Sequence, residues 1–190
     1  LVKERRIKMG QYYMPVIKRG NTLRRVYSHD FDNGLKLIEH SYIDNNFVNV
    51  IANNLVDNPA QLYWVGDYAE EGDFASPAMA KRIYNYAWNR TGRGNTTLEE
   101  TNEKFNWDDD WYYINMTKMQ YIKMPKPGDF VYSPVSLLTA MGNGRGGGDY
   151  YGDNPMVGKW AGDKVYLSKT VPEDEYENIT AECDFGNNNW

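Results

Sequence analysis

Tyr12-Tyr13-Met14-Pro15-Val16-Ile17 and Thr22-Leu23-Arg24-Arg25-Val26-Tyr27, with Lys18-Arg19-Gly20-Asn21 between them, decide the fold class. Both flanks are β-favouring runs, and Gly20 supplies the positive φ of a tight turn at little steric cost. The stretch reads as a β-hairpin. A second hairpin reads from Trp111-Tyr112-Tyr113-Ile114 and Gln120-Tyr121-Ile122-Lys123 on either side of Asn115-Met116-Thr117-Lys118-Met119, closed by Pro125, Pro127 and Gly128.

Between the hairpins the period changes. Phe47, Val48, Ile51 and Leu55 recur at helical spacing and predict a helix over 44–57, capped by Asp44 and ended by Pro59. Leu35 to Ser41 reads either as its first part or as a separate strand. Gln61 to Val65 reads as a short buried strand. Pro77 in a first turn, with Ile83, Tyr86 and Ala87 on one face, predicts a helix over 77–89 that residues 90–95 stop. Thr96 to Asp110 is polar and acidic and reads as an exposed connection. Val135 to Ala140 reads as a strand or short buried segment, and Trp160 to Ser168 as a strand. The expectation is an α+β domain over 9–182, an antiparallel sheet of two or three hairpins with about two helices packed on one face, followed by a flexible tail over 183–190.

The first eight residues carry four positive charges and one negative, so the chain from Met9 has a net charge of -8 against -5 for the whole. Glu4-Arg5-Arg6-Ile7-Lys8-Met9 can be spelled by a purine-rich bacterial ribosome-binding sequence ahead of an ATG. Residues 1–8 therefore read as a translated, disordered leader. An acidic domain is poorly suited to gripping nucleic acid, whose affinity rests on phosphate neutralisation by Lys and Arg. The acidic runs Glu70-Glu71-Gly72-Asp73, Asp108-Asp109-Asp110 and Glu173-Asp174-Glu175 read as solvated surface or as a face for a basic partner. One cysteine, Cys183, supplies neither a disulfide nor a zinc site. No apolar run is long enough for a membrane span, and the expected location is the cytoplasm of a bacterial or phage-infected cell.

The segment Gly142-Asn143-Gly144-Arg145-Gly146-Gly147-Gly148-Asp149-Tyr150-Tyr151-Gly152 is the most unusual of the chain. It contains G-x-G-x-x-G, but Gly148, Gly152 and Pro155 prevent the helix that a dinucleotide fingerprint requires, and the Lys-Ser/Thr pair of a P-loop is absent. What remains is a backbone nest of N–H groups, with Arg145 as a fork for phosphate or carboxylate. Gly144, Arg145, Gly146, Gly147, Asp149, Tyr150 and Tyr151 are thus the candidate ligand-binding residues; a loop packed closely on an aromatic face is the competing reading. Trp64-Val65-Gly66-Asp67 and Trp160-Ala161-Gly162-Asp163 share a Trp-x-Gly-Asp pattern, which makes Trp64, Asp67, Trp160 and Asp163 a secondary candidate cradle. His29 or His40, with Asp30 or Glu39 to orient it, is the candidate acid or base. No metal site is legible, and the cofactor is unknown.

Met9-Gly10-Gln11-Tyr12-Tyr13, Trp64 to Tyr68 and Gly142 to Tyr150 resemble segments of uncharacterised proteins of bacteria and their phages. The resemblance implies origin and carries no activity. The residues themselves favour a non-catalytic intracellular binding protein, such as a phage-encoded inhibitor or sequestering protein, whose contact surface includes loop 142–152. Its partner would be a protein or a small phosphorylated ligand. A small enzyme acting on a nucleotide or other phosphorylated ligand is the second reading, and a structural or assembly component the third.

Overall fold

The computed structural model describes residues 9–89, 96–99 and 103–186. The leader, the helix stop at 90–95 and the last four residues lie outside the described residues. The first hairpin is β1 (Tyr13–Arg19) and β2 (Thr22–Arg25), joined by a two-residue turn in which Gly20 takes φ 54. The second is β4 (Tyr112–Asn115) and β5 (Gln120–Lys123). Around them lie β3 (Ala60–Gly66), β6 (Ala140–Met141), β7 (Lys164–Ser168) and β8 (Glu177–Asn178), with helices α1 (Leu37–His40), α2 (Asn46–Leu55), α3 (Pro77–Trp88) and α4 (Pro134–Leu137).

The fold is α+β, but its sheet is larger than two or three hairpins. Eight strands run in the order β2-β1-β3-β7-β4-β5-β8, with β6 also on β3. All pairs are antiparallel except β3–β6 and β5–β8. β3 divides one edge between two partners: Ala60 and Gln61 pair with β7, Trp64 and Val65 with β6. The pairings β1–β3, β3–β7 and β4–β7 join segments far apart in sequence, and no local turn signal announces them.

The helices do not share a face. Side chains alternate along β1 and β3, so Tyr13, Ile17, Leu62 and Trp64 join the core that holds Phe47, Val48, Ile51 and Leu55 of α2. Met14, Val16, Tyr63 and Val65 join a second core with Ile83 and Ala87 of α3. The physical reason lies in the strands themselves. Both are near-continuous apolar runs, which is what a strand covered on both faces requires.

Four local expectations change as well. The cap of α2 is Asn45, whose side chain accepts the Phe47 N–H at 2.9 Å, while Asp44 takes a left-handed φ of 67. Leu35 to Ser41 contains the separate helical turn α1, whereas Val135 to Ala140 is a short buried segment, as one of its two readings had it, with its first half in the turn α4. The connection before β4 is not exposed throughout: Leu98, Phe105 and Trp107 are buried, and the Trp107 indole donates to Asn49 Oδ1 at 2.7 Å. Cys183 and Phe185, at the start of the expected tail, are buried too. Among the described residues no helix is long and apolar enough to cross a membrane.

Candidate functional site

The chain leaves β6 through Gly142 (φ 85) and Gly144 (φ 91), turns with glycine's freedom to adopt left-handed backbone, and folds Asp149 back into its own loop. Asp149 Oδ2 accepts the N–H groups of Gly144 at 2.7 Å and Gly146 at 2.9 Å. Its Oδ1 accepts the Tyr13 hydroxyl at 2.8 Å and Gln11 Nε2 at 3.2 Å. The carboxylate is 1% exposed. The nest of N–H groups that an external phosphate would use is therefore filled by an anion from the same chain. Burial, then the charge of Asp149, pushes the Tyr13 pKa far up, so its hydroxyl stays a donor.

The loop is stitched to its surroundings at both ends. Gln11 Nε2 donates to Gly142 O at 2.8 Å and also contacts the Tyr13 hydroxyl. Asn143 holds the Tyr150 N–H at 2.9 Å and its carbonyl at 3.3 Å. Gly147 N–H donates to Met9 O and Gln11 N–H to Gly147 O, both at 2.9 Å, and Ile38 N–H reaches Gly148 O at 3.1 Å. Thus the loop joins the approach to β1 with the start of α1.

Arg145 is committed to a neighbour. It forms a two-pronged pair with Asp73, Nη2 to Oδ1 at 2.9 Å and Nη1 to Oδ2, and Nη1 also donates to Tyr68 O at 2.9 Å. The bonds to Asp73 raise the guanidinium pKa. Burial pushes the Asp73 carboxyl up, but Arg145 and the Glu70 N–H outweigh it and hold that pKa below its usual value. The two tyrosines part company. Tyr150 is buried and donates to Phe185 O at 2.7 Å, whereas exposed Tyr151 accepts the Gly148 N–H at 2.9 Å.

His40 is fully buried between Gly34 O, 2.9 Å from Nδ1, and the Trp64 indole, which donates to Nε2 at 2.9 Å. An indole N–H only donates, so Nε2 is the bare acceptor and Nδ1 carries the hydrogen. Burial lowers its pKa to about 4. His29 is exposed in a 3-10 turn, with Nδ1 3.1 Å from the Tyr27 hydroxyl, and Asp30 accepts the Thr96 N–H at 2.7 Å. Among the described residues no hydrogen bond or ring contact joins either histidine to the glycine-rich loop.

The two Trp-x-Gly-Asp motifs flank one segment, since Trp64 N–H donates to Thr139 O and Trp160 N–H to Leu138 O. Their polar groups then diverge. Asp67 accepts the Tyr12 N–H at 3.0 Å, and Asp163 accepts Asn115 Nδ2 at 2.7 Å together with Lys118. Both indoles are buried, that of Trp160 facing Gln120 Oε1 at 3.3 Å. Two of the acidic runs are likewise answered within the chain: Asp109 meets Lys169 at 2.6 Å, Asp110 meets Lys126 at 2.9 Å and Lys123 at 3.3 Å, and Asp73 holds Arg145. The Cys183 thiol is pushed up to about 12 by burial and then by Glu182, which keeps it protonated. Among the described residues no group of three His, Cys, Asp or Glu side chains is placed to hold a metal.

What stays open on the loop is apolar and aromatic. Met9 (73%), Tyr12 (42%) and Tyr151 (69%) are exposed. They form one neighbourhood, because the Lys36 stem lies against Gly10 and Gly148, the Tyr12 ring lies against Gly10, and Tyr151 bonds Gly148. Sequence reasoning named only Tyr151 of this set. Alternation along the incoming strand, with Tyr13 inward and Tyr12 outward, is the signal that finds Tyr12. Comparison of the chain with protein-family models, with curated proteins and with solved structures gives no match in any of the three.

Proposed function

We propose that this chain is a non-catalytic intracellular binding protein, of the inhibitor or sequestering kind, that meets a protein partner through Met9, Tyr12, Lys36 and Tyr151. The observation that carries the reading is the internal commitment of the polar groups on the loop: Asp149 fills the nest and Asp73 holds Arg145. A hydrogen-bonded backbone platform that presents exposed aromatic rings suits recognition by area and shape rather than by charge. Tyr12 and Tyr151 are the expected anchors, since rings with a polar tip are the residue type that dominates interface energetics.

The test compares proteins retained from a host-type lysate by the immobilised wild type, by Tyr12→Ala/Tyr151→Ala and by a control variant at exposed Lys81 on α3. A species held by wild type and control but lost by the double variant supports the reading. Equal retention by all three removes this surface from consideration. The alternative of an enzyme on a phosphorylated ligand predicts turnover that His29→Ala abolishes.

A further inference from the structure

The chain contains the dipeptide Asn-Gly twice, at Asn33-Gly34 and at Asn143-Gly144. In such a pair the glycine amide nitrogen can attack the side-chain carbonyl carbon of the asparagine, because glycine has no side chain to obstruct the approach. Hydroxide takes the amide proton and the N–Cγ bond forms. The Cγ–Nδ2 bond then breaks, ammonia leaves with a proton from water, and hydroxide is returned. Water opens the resulting succinimide to aspartate, or to isoaspartate, in which the main chain runs through the former side chain. An unfolded chain treats the two pairs alike.

The fold separates them, and exposure is not the reason, since both asparagines are half-buried and Gly144 is the more exposed of the two glycines. The amide hydrogens are. Ring closure puts Cγ where the glycine amide hydrogen stood, so an engaged hydrogen must first give up its partner. Gly144 N–H donates at 2.7 Å to the buried Asp149 Oδ2, and the Asn143 side chain grips the N–H and the carbonyl of Tyr150. Among the described residues Gly34 N–H makes no hydrogen bond. The Asn33 side chain is held by Asn45 Nδ2, which donates to its Oδ1 at 2.6 Å, and by Phe31 O, which accepts its Nδ2 at 2.6 Å. The bond from Asn45 falls on the oxygen where negative charge develops during attack, and so favours the step.

We infer that Asn33 is a site of spontaneous deamidation in the folded protein, and that the Asp149 nest shields Asn143 from the same reaction. The inference does not depend on the Tyr12–Tyr151 surface. Its consequence reaches the core. Deamidation replaces the Nδ2 donor to Phe31 O by a carboxylate oxygen, between Asp32 and the carbonyl it formerly satisfied. The isoaspartate form also lengthens the main chain just before Gly34, whose carbonyl receives the buried His40 ring. Ageing at Asn33 is thereby passed to the His40–Trp64 pair.

Timed incubation of the full chain in mildly alkaline buffer, folded and in concentrated urea, followed by trypsin and mass spectrometry, tests the assignment. Asn33 is the single asparagine of tryptic peptide 26–36, and Asn143 that of peptide 124–145. In urea both peptides are expected to convert at similar rates. In the folded chain peptide 26–36 is expected to convert faster than peptide 124–145 by about tenfold or more, the effect of freeing Gly144 N–H from a buried carboxylate. The aged wild type is expected to melt below the fresh protein, and Asn33→Gln, which removes the reactive pair, to lose that age-dependent shift. Equal rates in the folded chain, a faster Asn143, or no conversion of Asn33 while urea converts both would each overturn the assignment. An age-dependent shift that Asn33→Gln retains would overturn the link to the core.

Discussion

At the scale of single residues, the buried polar groups set the strongest expectations. His40 has a pKa of about 4 in the folded chain against 6.5 as the ordinary value. A histidine whose folded pKa is depressed contributes stability that is present above 6.5 and lost as pH falls from 6.5 to 4, because the unfolded chain takes up the proton first. The loss over that window is about 3 kcal/mol, at about 1.4 kcal/mol per unit. Urea unfolding at pH 7, 5 and 4 measures it. His40→Gln, which keeps an acceptor for the Trp64 indole, is expected to flatten that part of the profile, and a variant with the same slope as wild type would contradict the assignment. Asp149 is the second case. Asp149→Ala strands two backbone donors and the Tyr13 hydroxyl inside the protein, and takes one acceptor from the Gln11 amide. The expected cost is about 3–5 kcal/mol by chemical denaturation, whereas a loop with its nest open to solvent would tolerate the change.

At the scale of elements, the connection before β4 separates reading from structure most sharply. If residues 103–110 were exposed, Trp107→Ala would change stability by less than about 0.5 kcal/mol. Trp107 instead lies buried against α2, its ring tilted against Phe105 with centroids 4.2 Å apart, and its removal is expected to cost about 3–5 kcal/mol in equilibrium unfolding. The two hairpins and the helices α2 and α3 were legible in the sequence because each carries its own periodicity and its own caps or turn residues. Trp107 was not, because a buried residue in an irregular segment follows no period. The order of the strands was hidden for a related reason: β1–β3 and β3–β7 are chosen by packing on both faces, not by any turn. Within the glycine-rich loop, the freedom of Gly142 and Gly144 was legible. The identity of the anion that fills the nest was not, because Asp149 reads as a surface residue until Tyr13 and Gln11 are brought to it.

At the scale of the whole molecule, stability is expected to grade across the sheet. β1 and β3 lie between two cores, while β8 contributes two exposed residues at an edge. Native-state hydrogen exchange should therefore show the slowest amides in β1 and β3, with β8 opening locally; β8 peptides as protected as those of β3 would contradict this picture. The stitching of Asp149 to the start of the chain also has a meaning in time. Gln11 and Tyr13 precede their carboxylate by 138 and 136 residues. At ordinary rates of translation, they wait roughly 10–30 s for it to leave the ribosome. Throughout that interval a nascent chain can pair β1 with β2 and β3, yet its buried Tyr13 hydroxyl lacks the carboxylate that accepts it. Completion of this protein is thus a late event, since β7, which joins β3 to β4, follows that carboxylate in the sequence, and a product broken off before it presents itself to chaperones and proteases as unfinished.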